Sequence, residues 1–210
     1  MHVMIDLETM SQQPDAAICA IGAVLFDPAL PGDGLHAEPF YRAGLLADAV
    51  RQGGHMQVDT VLWWLRQDDA ARAEICAETG SLLVALSDLG YWMCTRGVTD
   101  VWGNGADFDL TILAGTYRRA SIKLPWTHKQ QRCLRERRHG HRDVKVPGDD
   151  RPQHHALHDA IWGARMAVAI LREEAQRDEL AAQARKVAGQ SAMSAAMSAD
   201  IGGDISGAPV

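Results

Sequence analysis

The chain has 210 residues, 47% of them hydrophobic, enough for one domain with a sizeable core. No run approaches the roughly 20 apolar residues that span a membrane, and Val3-Met4-Ile5 is broken at once by Asp6, too short for the apolar part of a secretory signal. A net charge of −6 argues weakly against nucleic acid, and four scattered cysteines without a C-x-x-C pair fit neither a zinc site nor a disulfide framework, so reduced thiols in a cytoplasmic protein are expected.

His2 to Leu7 reads as a short buried strand and Ala16 to Phe26 as a second, ended by Asp27-Pro28. Leu35 to Arg42 fits a third, and three strands on short loops predict an antiparallel meander. Asp59 or Thr60 can cap a helix through Val61-Leu62-Trp63-Trp64-Leu65, and Asp68 or Asp69 can start another to Cys76. Ser81 to Met93 carries Leu82, Leu86, Leu89 and Met93 at helical spacing. Asp100-Val101-Trp102 reads as a fourth strand, broken by Gly103-Asn104-Gly105, with a helix from about Phe108 to Arg119. Pro125-Trp126 opens a segment predicted helical through Arg137, Gly140 to Pro152 reads as a loop, and a long helix runs from His155 or Ala156 past Ala175. Residues 189–210, rich in Ala, Ser and Gly, are expected to form a disordered tail behind a domain of residues 1–188. The order of elements predicts an α/β domain with a mixed sheet.

Charge is unevenly spread. Between Tyr117 and Lys145 stand ten Lys or Arg residues and two acids, against 11 basic and 25 acidic residues elsewhere. Such a segment can offer phosphates a landing strip or be a solvated helix face. Trp63 and Trp64, adjacent on a helix, point about 100° apart. One can serve the core and the other can stack on a base, or both can pack against neighbouring helices.

Three groups of residues carry the chemistry. Asp6-Leu7-Glu8 is the only D-x-E triplet, and side chains at i and i+2 of a strand share a face. Two carboxylates burying together need cations to neutralise them, and hard oxygen ligands suit Mg²⁺ or Mn²⁺; a solvated strand end is the plainer alternative. Asn104-Gly105-Ala106-Asp107-Phe108-Asp109 follows the fourth strand. Asp109 is preferred over Asp107, because Phe108 can anchor the turn, although either acid can simply cap a helix. His154 precedes Asp159 by five positions, a spacing that none of the other eight histidines has. A histidine can act as general base near neutral pH or stand idle on the surface. Jointly, an acid pair on the first strand, an acid after a later strand, and a His with an acid at the last helix suit phosphodiester hydrolysis with two metals.

Asp6-Leu7-Glu8-Thr9, Asn104 to Asp109 and His154-His155-Ala156-Leu157-His158-Asp159 resemble, in order, the three motifs of the DEDDh, or DnaQ-like, 3′–5′ exonucleases of the RNase H-like superfamily. The resemblance covers residues 1 to about 175. Asp59-Thr60-Val61-Leu62-Trp63-Trp64 and Met10-Ser11 are similar to a phage and bacterial subgroup that includes exonuclease A-like, exodeoxyribonuclease VIII-like and 3′–5′ exoribonuclease proteins. The resemblance implies an RNase H-like five-stranded mixed sheet flanked by helices. It implies two Mg²⁺ or Mn²⁺ ions on Asp6, Glu8, Asp109 and Asp159, with His154 as general base. It further implies nucleoside 5′-monophosphates released from a nucleic acid with a 3′ end, single-stranded DNA or RNA. Thr9 and Met10 would touch the terminal nucleotide, Asn104 and Phe108 would shape its pocket, and Trp64 is the tryptophan taken for substrate binding. Many relatives are dimers, so a homodimer is the assembly it suggests. One departure is Cys133, where the subgroup commonly carries Asp; it touches substrate placement rather than the four carboxylates. An idle nucleic-acid-binding module of the same fold, or a hydrolase of short oligonucleotides, is the alternative.

Overall fold

The computed structural model describes residues 1–77, 80–147 and 154–201, the last eight through their backbone. The chain divides into two compact units, Met1–Ile170 and Leu171–Val210.

The first unit is built on two strands whose sequence leaves them no exposed face. β1 (His2–Thr9) and β2 (Ile18–Phe26) pair antiparallel from His2↔Phe26 to Thr9↔Ile18, and all nine residues of β2 are buried. A near-continuous apolar run of this kind is what a strand covered on both faces requires. β3 (Phe40–Arg42) adds to β2 antiparallel, completing the expected meander. On the other side β4 (Asp100–Gly103) joins β1 in parallel and β5 (Gln131–Cys133) joins β4 in parallel. The sheet order β3-β2-β1-β4-β5 is mixed and five-stranded, as expected.

Helices α1 (Leu46–Arg51), α2 (Val58–Trp64), α3 (Asp69–Ile75) and α4 (Leu82–Thr95) lie between β3 and β4 in the chain. Asp68 caps α3 by accepting from the Ala71 amide at 2.8 Å, and Ser81 caps α4. α5 (Asp109–Arg119) and α6 (Leu134–His139) follow β4 and β5, and α7 (Ala156–Ile201) ends the described chain. One face of β1, with Val3, Ile5 and Leu7, enters a core shared with Leu86 and Leu89 of α4 and Leu110 and Leu113 of α5.

The opposite face of the sheet receives α7 at unusually short range. A Cβ at Gly22 would stand 2.2 Å from the backbone carbon of Ala156, and one at Gly163 would stand 3.2 Å from the Met4 side chain. Ala156, Ala160, Ala164 and Ala167 repeat the small size along the same helix and are buried. Gly22 lies opposite Asp6 in the β1–β2 register, so the contact places the start of α7 beside the acid pair.

Several boundaries differ from the sequence expectation. The third strand keeps only Phe40–Arg42, with Leu35 making an isolated bridge to Phe26; Pro39 has no amide to give to a ladder. α1 had no periodic signal in six residues. α2 starts at Val58 with Gln57 as its extended N-cap, so Asp59 lies in the first turn rather than capping. The helix expected from Pro125 to Arg137 is a 3-10 turn (His128–Gln130), then β5, then α6. Three residues are too few to show a strand period, and pairing with β4 decides their conformation.

In the second unit the described residues continue α7, exposed from Ala175 to Met193, with an Arg177–Glu173 ion pair one turn apart. The described part of the expected tail, Gly189 to Ile201, continues α7; Ala and Met are strong helix formers, and no proline interrupts that stretch. Residues 202–210 lie outside the described residues. No helix among the described residues is long and apolar enough to cross a membrane.

Candidate active site

Strand alternation sends Asp6 and Glu8 to the α7 side of β1, the side of Met4, while Leu7 enters the core. A register shift between Glu8 and Thr9 ends the regular ladder there, a device that re-aims side chains. One turn into α7, Asp159 points back at the pair: single carboxylate oxygens of Asp6, Glu8 and Asp159 lie within 4.8 Å of one another.

Asp109 arrives from the other neighbour strand. β4 stops at Gly103, and the turn through Gly105 places Asp109 in the first turn of α5. Its Oδ1 accepts from the Leu7 amide at 3.3 Å, and a Cβ on Gly103 would meet its Oδ2 at 3.3 Å. Asp109 is 4% exposed, whereas its competitor Asp107 faces solvent.

The electrostatics are those of several acids gathered in one buried place. Burial, then the charges of Asp109, Glu8 and Asp159, holds Asp6 well above the usual carboxylate range. Burial beside Asp159, Glu74 and Asp109 pushes Glu8 up to about 9. Burial takes Asp109 to about 7, opposed by the amides of Leu7, Gly105 and Asp109 itself and by the Arg135 guanidinium. Asp159 is raised by burial, with the charge and amide of His154 pulling back. Glu8 Oε1 is buried with no hydrogen-bond partner among the described residues. Oxygen-only donors, an orphaned carboxylate oxygen and mutual repulsion together fit hard divalent cations.

His154 precedes α7 with a left-handed backbone, φ +61°. For a residue with a Cβ this conformation costs on the order of 1–2 kcal/mol, so the surroundings must hold it. Its ring stands edge-on to Trp63 at 4.8 Å and to Trp64 at 6.1 Å.

A pocket of about 450 Å³ opens alongside, lined by Leu7, Glu8, Thr9, Gln12, Gln57, Asp59, Thr60, Trp63, Trp64 and Phe108. Of the residues expected to meet substrate, Thr9, Phe108 and Trp64 stand on its wall. The two tryptophans divide their work: Trp64 is 2% exposed and its indole N–H donates to the Thr9 carbonyl at 2.9 Å, whereas Trp63 is 39% exposed. Trp63 therefore offers the more open ring, while Trp64, the tryptophan expected to meet substrate, lines the same pocket from a buried position. Met10 is buried in the core cluster and Asn104 is half-buried in the turn after β4; neither lines the pocket. Thr9 spends its hydroxyl on the Ser11 carbonyl at 2.8 Å.

Sequence reasoning missed Gln12 and Gln57, polar loop residues with no motif, and the buried acid Glu74, and it did not single out Arg135 within the basic stretch. A Cβ on Gly105 would stand 3.0 Å from the Arg135 guanidinium, so that one arginine of the basic stretch reaches the Asp109 turn. Arg132 is instead paired with Asp100 at 2.7 Å. Glu74, 6% exposed, shares the buried stripe of α3 with Ala71 and Ile75; an acid on an apolar stripe was its available signal. The Tyr41 hydroxyl donates to its Oε2, and burial followed by that bond raises the Tyr41 pKa. Cys133 closes β5 opposite Gly103, half-buried.

The family model of the 3′–5′ exoribonuclease Rv2179c-like domain matches residues 1–171. Among solved structures, the nuclease domain of 3′hExo, a DEDDh family member bound to rAMP, is similar with a TM-score of 0.59 at 15% identity, covering 82% of this chain and 92% of that one. Product-bound exonuclease I is similar with a TM-score of 0.53 at 16% identity, covering 81% of this chain but 42% of that one. No curated protein matches in sequence. Structures this distant speak for the RNase H-like fold, while the family match extends through all three motifs. The chain belongs to the Rv2179c-like 3′–5′ exoribonuclease domain family and is a 3′–5′ exonuclease; the DEDDh exonucleases that it resembles in fold depend on divalent metal.

Proposed function

We propose that Asp6, Glu8, Asp109 and Asp159 hold two divalent cations, Mg²⁺ or Mn²⁺, and that His154 is the general base in removing nucleotides from the 3′ end of single-stranded RNA. The observation that carries this reading is the convergence of Asp6, Glu8 and Asp159 within 4.8 Å at the edge of the pocket. Asp109, whose charge acts on Asp6, stands outside that trio and is the fourth carboxylate proposed to share the cations. Bound there, the cations would neutralise the phosphate and acidify the attacking water.

The protein's own groups do the rest. The His154 imidazole accepts a proton from the attacking water. Phe108 and Trp63 bracket space for the terminal base, and Gln12 and Gln57 offer amides to its polar edge or sugar. Arg135, at the Asp109 turn, is placed for a phosphate, a contact that positions without reading sequence. The exoribonuclease in the family description favours RNA over DNA as the substrate. The same proposal includes a homodimer, which would cover exposed Val58, Leu62 and Leu65, and a reducing cytoplasm, which suits four free thiols.

The test is digestion of matched 5′-labelled RNA and DNA single strands with Mn²⁺, Mg²⁺ or EDTA, alongside Asp6→Ala and a circular strand. Metal-dependent shortening from the 3′ end, faster on RNA and absent in Asp6→Ala and on the circle, is expected. Cleavage of the circle would refute the exonuclease reading, and no shortening in either metal would leave a nucleic-acid-binding module. Sedimentation of the same sample checks the dimer.

A further inference from the structure

We propose that Glu74, His155 and Tyr41 form a clamp on the start of α7, and that Glu74 and His155 are thereby positioning residues for His154 and Asp159. The inference rests on the roles proposed above for those two residues.

Three elements far apart in sequence meet at one imidazole. The His155 ring is stacked between Tyr41 of β3 (4.9 Å, 19°) and His158 of α7 (4.0 Å, 13°). Its Nε2 lies 3.4 Å from Glu74 Oε2 of α3, the oxygen that also accepts from the Tyr41 hydroxyl. The ring is thus held on both faces and at one edge. The backbone of the same residue starts the helix, since the His155 carbonyl accepts the Asp159 amide at 3.0 Å.

Packing alone does not account for Glu74. A carboxylate on the buried stripe of a seven-residue helix costs free energy that a leucine there would not. What the acid supplies is direction: its Oε2 accepts from the Tyr41 hydroxyl and stands 3.4 Å from the imidazole Nε2. Two features of the site need that direction. His154, immediately before the ring, keeps a left-handed backbone only where its neighbours hold it. Asp159 must point at Asp6 and Glu8, and the close contacts of Ala156 on Gly22 and of Gly163 on Met4 seat α7 on the sheet. A ring held one turn before Asp159 keeps the first turn of the helix from fraying away from that seat.

The experiment compares Glu74→Ala, Glu74→Gln, His155→Leu and Tyr41→Phe in the full chain. It uses steady-state digestion of labelled RNA with Mn²⁺, and backbone amide exchange at Asp159 in EDTA. Glu74→Ala and His155→Leu should lower kcat by on the order of 10–100-fold with KM unchanged. Glu74→Gln, which keeps an acceptor of the same shape, should restore most of kcat. Tyr41→Phe, which keeps the stacked ring, should lose least. The Asp159 amide should exchange faster in Glu74→Ala and His155→Leu and at the parent rate in Glu74→Gln. A kcat unmoved in both strong variants, or Glu74→Gln as slow as Glu74→Ala, would overturn the clamp. If Glu74→Ala does not fold, His155→Leu and Tyr41→Phe carry the same comparison. If the parent protein digests nothing, the proposed function fails by itself, and the exchange rates alone decide the clamp.

Discussion

β1 has two faces, and they obey opposite rules. Val3, Ile5 and Leu7 meet α4 and α5 in a core of apolar side chains. Met4, Asp6 and Glu8 meet α7, where the acids crowd one another and one carboxylate oxygen finds no partner among the described residues. The apolar face stabilises the strand. The acidic face weakens the metal-free protein and is tolerated because the strand beneath it is held from the other side and from both neighbours. Stability and chemistry are thereby separated by a single residue of alternation.

The comparison breaks most completely at Gly22. Gly22→Val would drive a side chain into the α7 backbone, 2.2 Å away at its first carbon, and no rotamer relieves a backbone clash. Loss of the cooperative thermal transition, or of all activity in whatever folds, is expected. Next come substitutions one residue apart. Ile5→Ala should cost about 2–5 kcal/mol of stability while the protein that remains folded keeps its turnover. Asp6→Asn should do the reverse, abolishing metal-dependent digestion while leaving the EDTA-treated protein at least as resistant to urea at pH 8. A lower urea midpoint for Asp6→Asn would refute the separation. His154→Ala should cut turnover by a factor on the order of 10²–10⁴ and leave Mn²⁺ binding, measured by calorimetry, largely intact.

The smallest effect is a pH dependence. Carboxyls raised on folding keep their protons longer in the folded state than in the unfolded one, so their contribution is full below the unfolded value and is lost as pH rises. For Asp109 and Glu8 that window runs from ordinary carboxylate values, 3.8 and 4.5, up to about 7 and about 9. In EDTA the melting temperature should therefore fall between pH 5 and 9 in a way that Asp6→Asn blunts. Added Mn²⁺ should raise it more at pH 8 than at pH 6, because the metal competes with protons. An equal Mn²⁺ effect at both values would mean the acids are already ionised.

Much of this was legible in the residues. β1 and β2 announce themselves by apolar runs, and the Asp6/Glu8, Asp109 and His154/Asp159 groups by spacing and order. β5 was not legible, because its three residues take their form from β4 and carry no period of their own. Which tryptophan meets solvent was not legible either: adjacency fixes that the rings diverge, and only the position of Thr9 decides that Trp64 goes inward. Met10 follows the same logic, since the register shift after Glu8 turns its side chain toward the core. Glu74 lay outside every motif, and its partners Tyr41 and His155 come from elements 33 and 81 positions away.

The Asp109 carboxylate also completes the sheet. Where β4 ends at Gly103, β1 still has an inward amide at Leu7, and Asp109 Oδ1 takes the place of the missing strand. An asparagine offers the same oxygen without the charge. A lineage that abandoned hydrolysis could therefore drift to Asn at position 109 and keep β1 intact, whereas drift to Ala would strand a buried amide. In descendants of this chain, the residue that replaces Asp109 would record whether the fold was kept after the chemistry was given up.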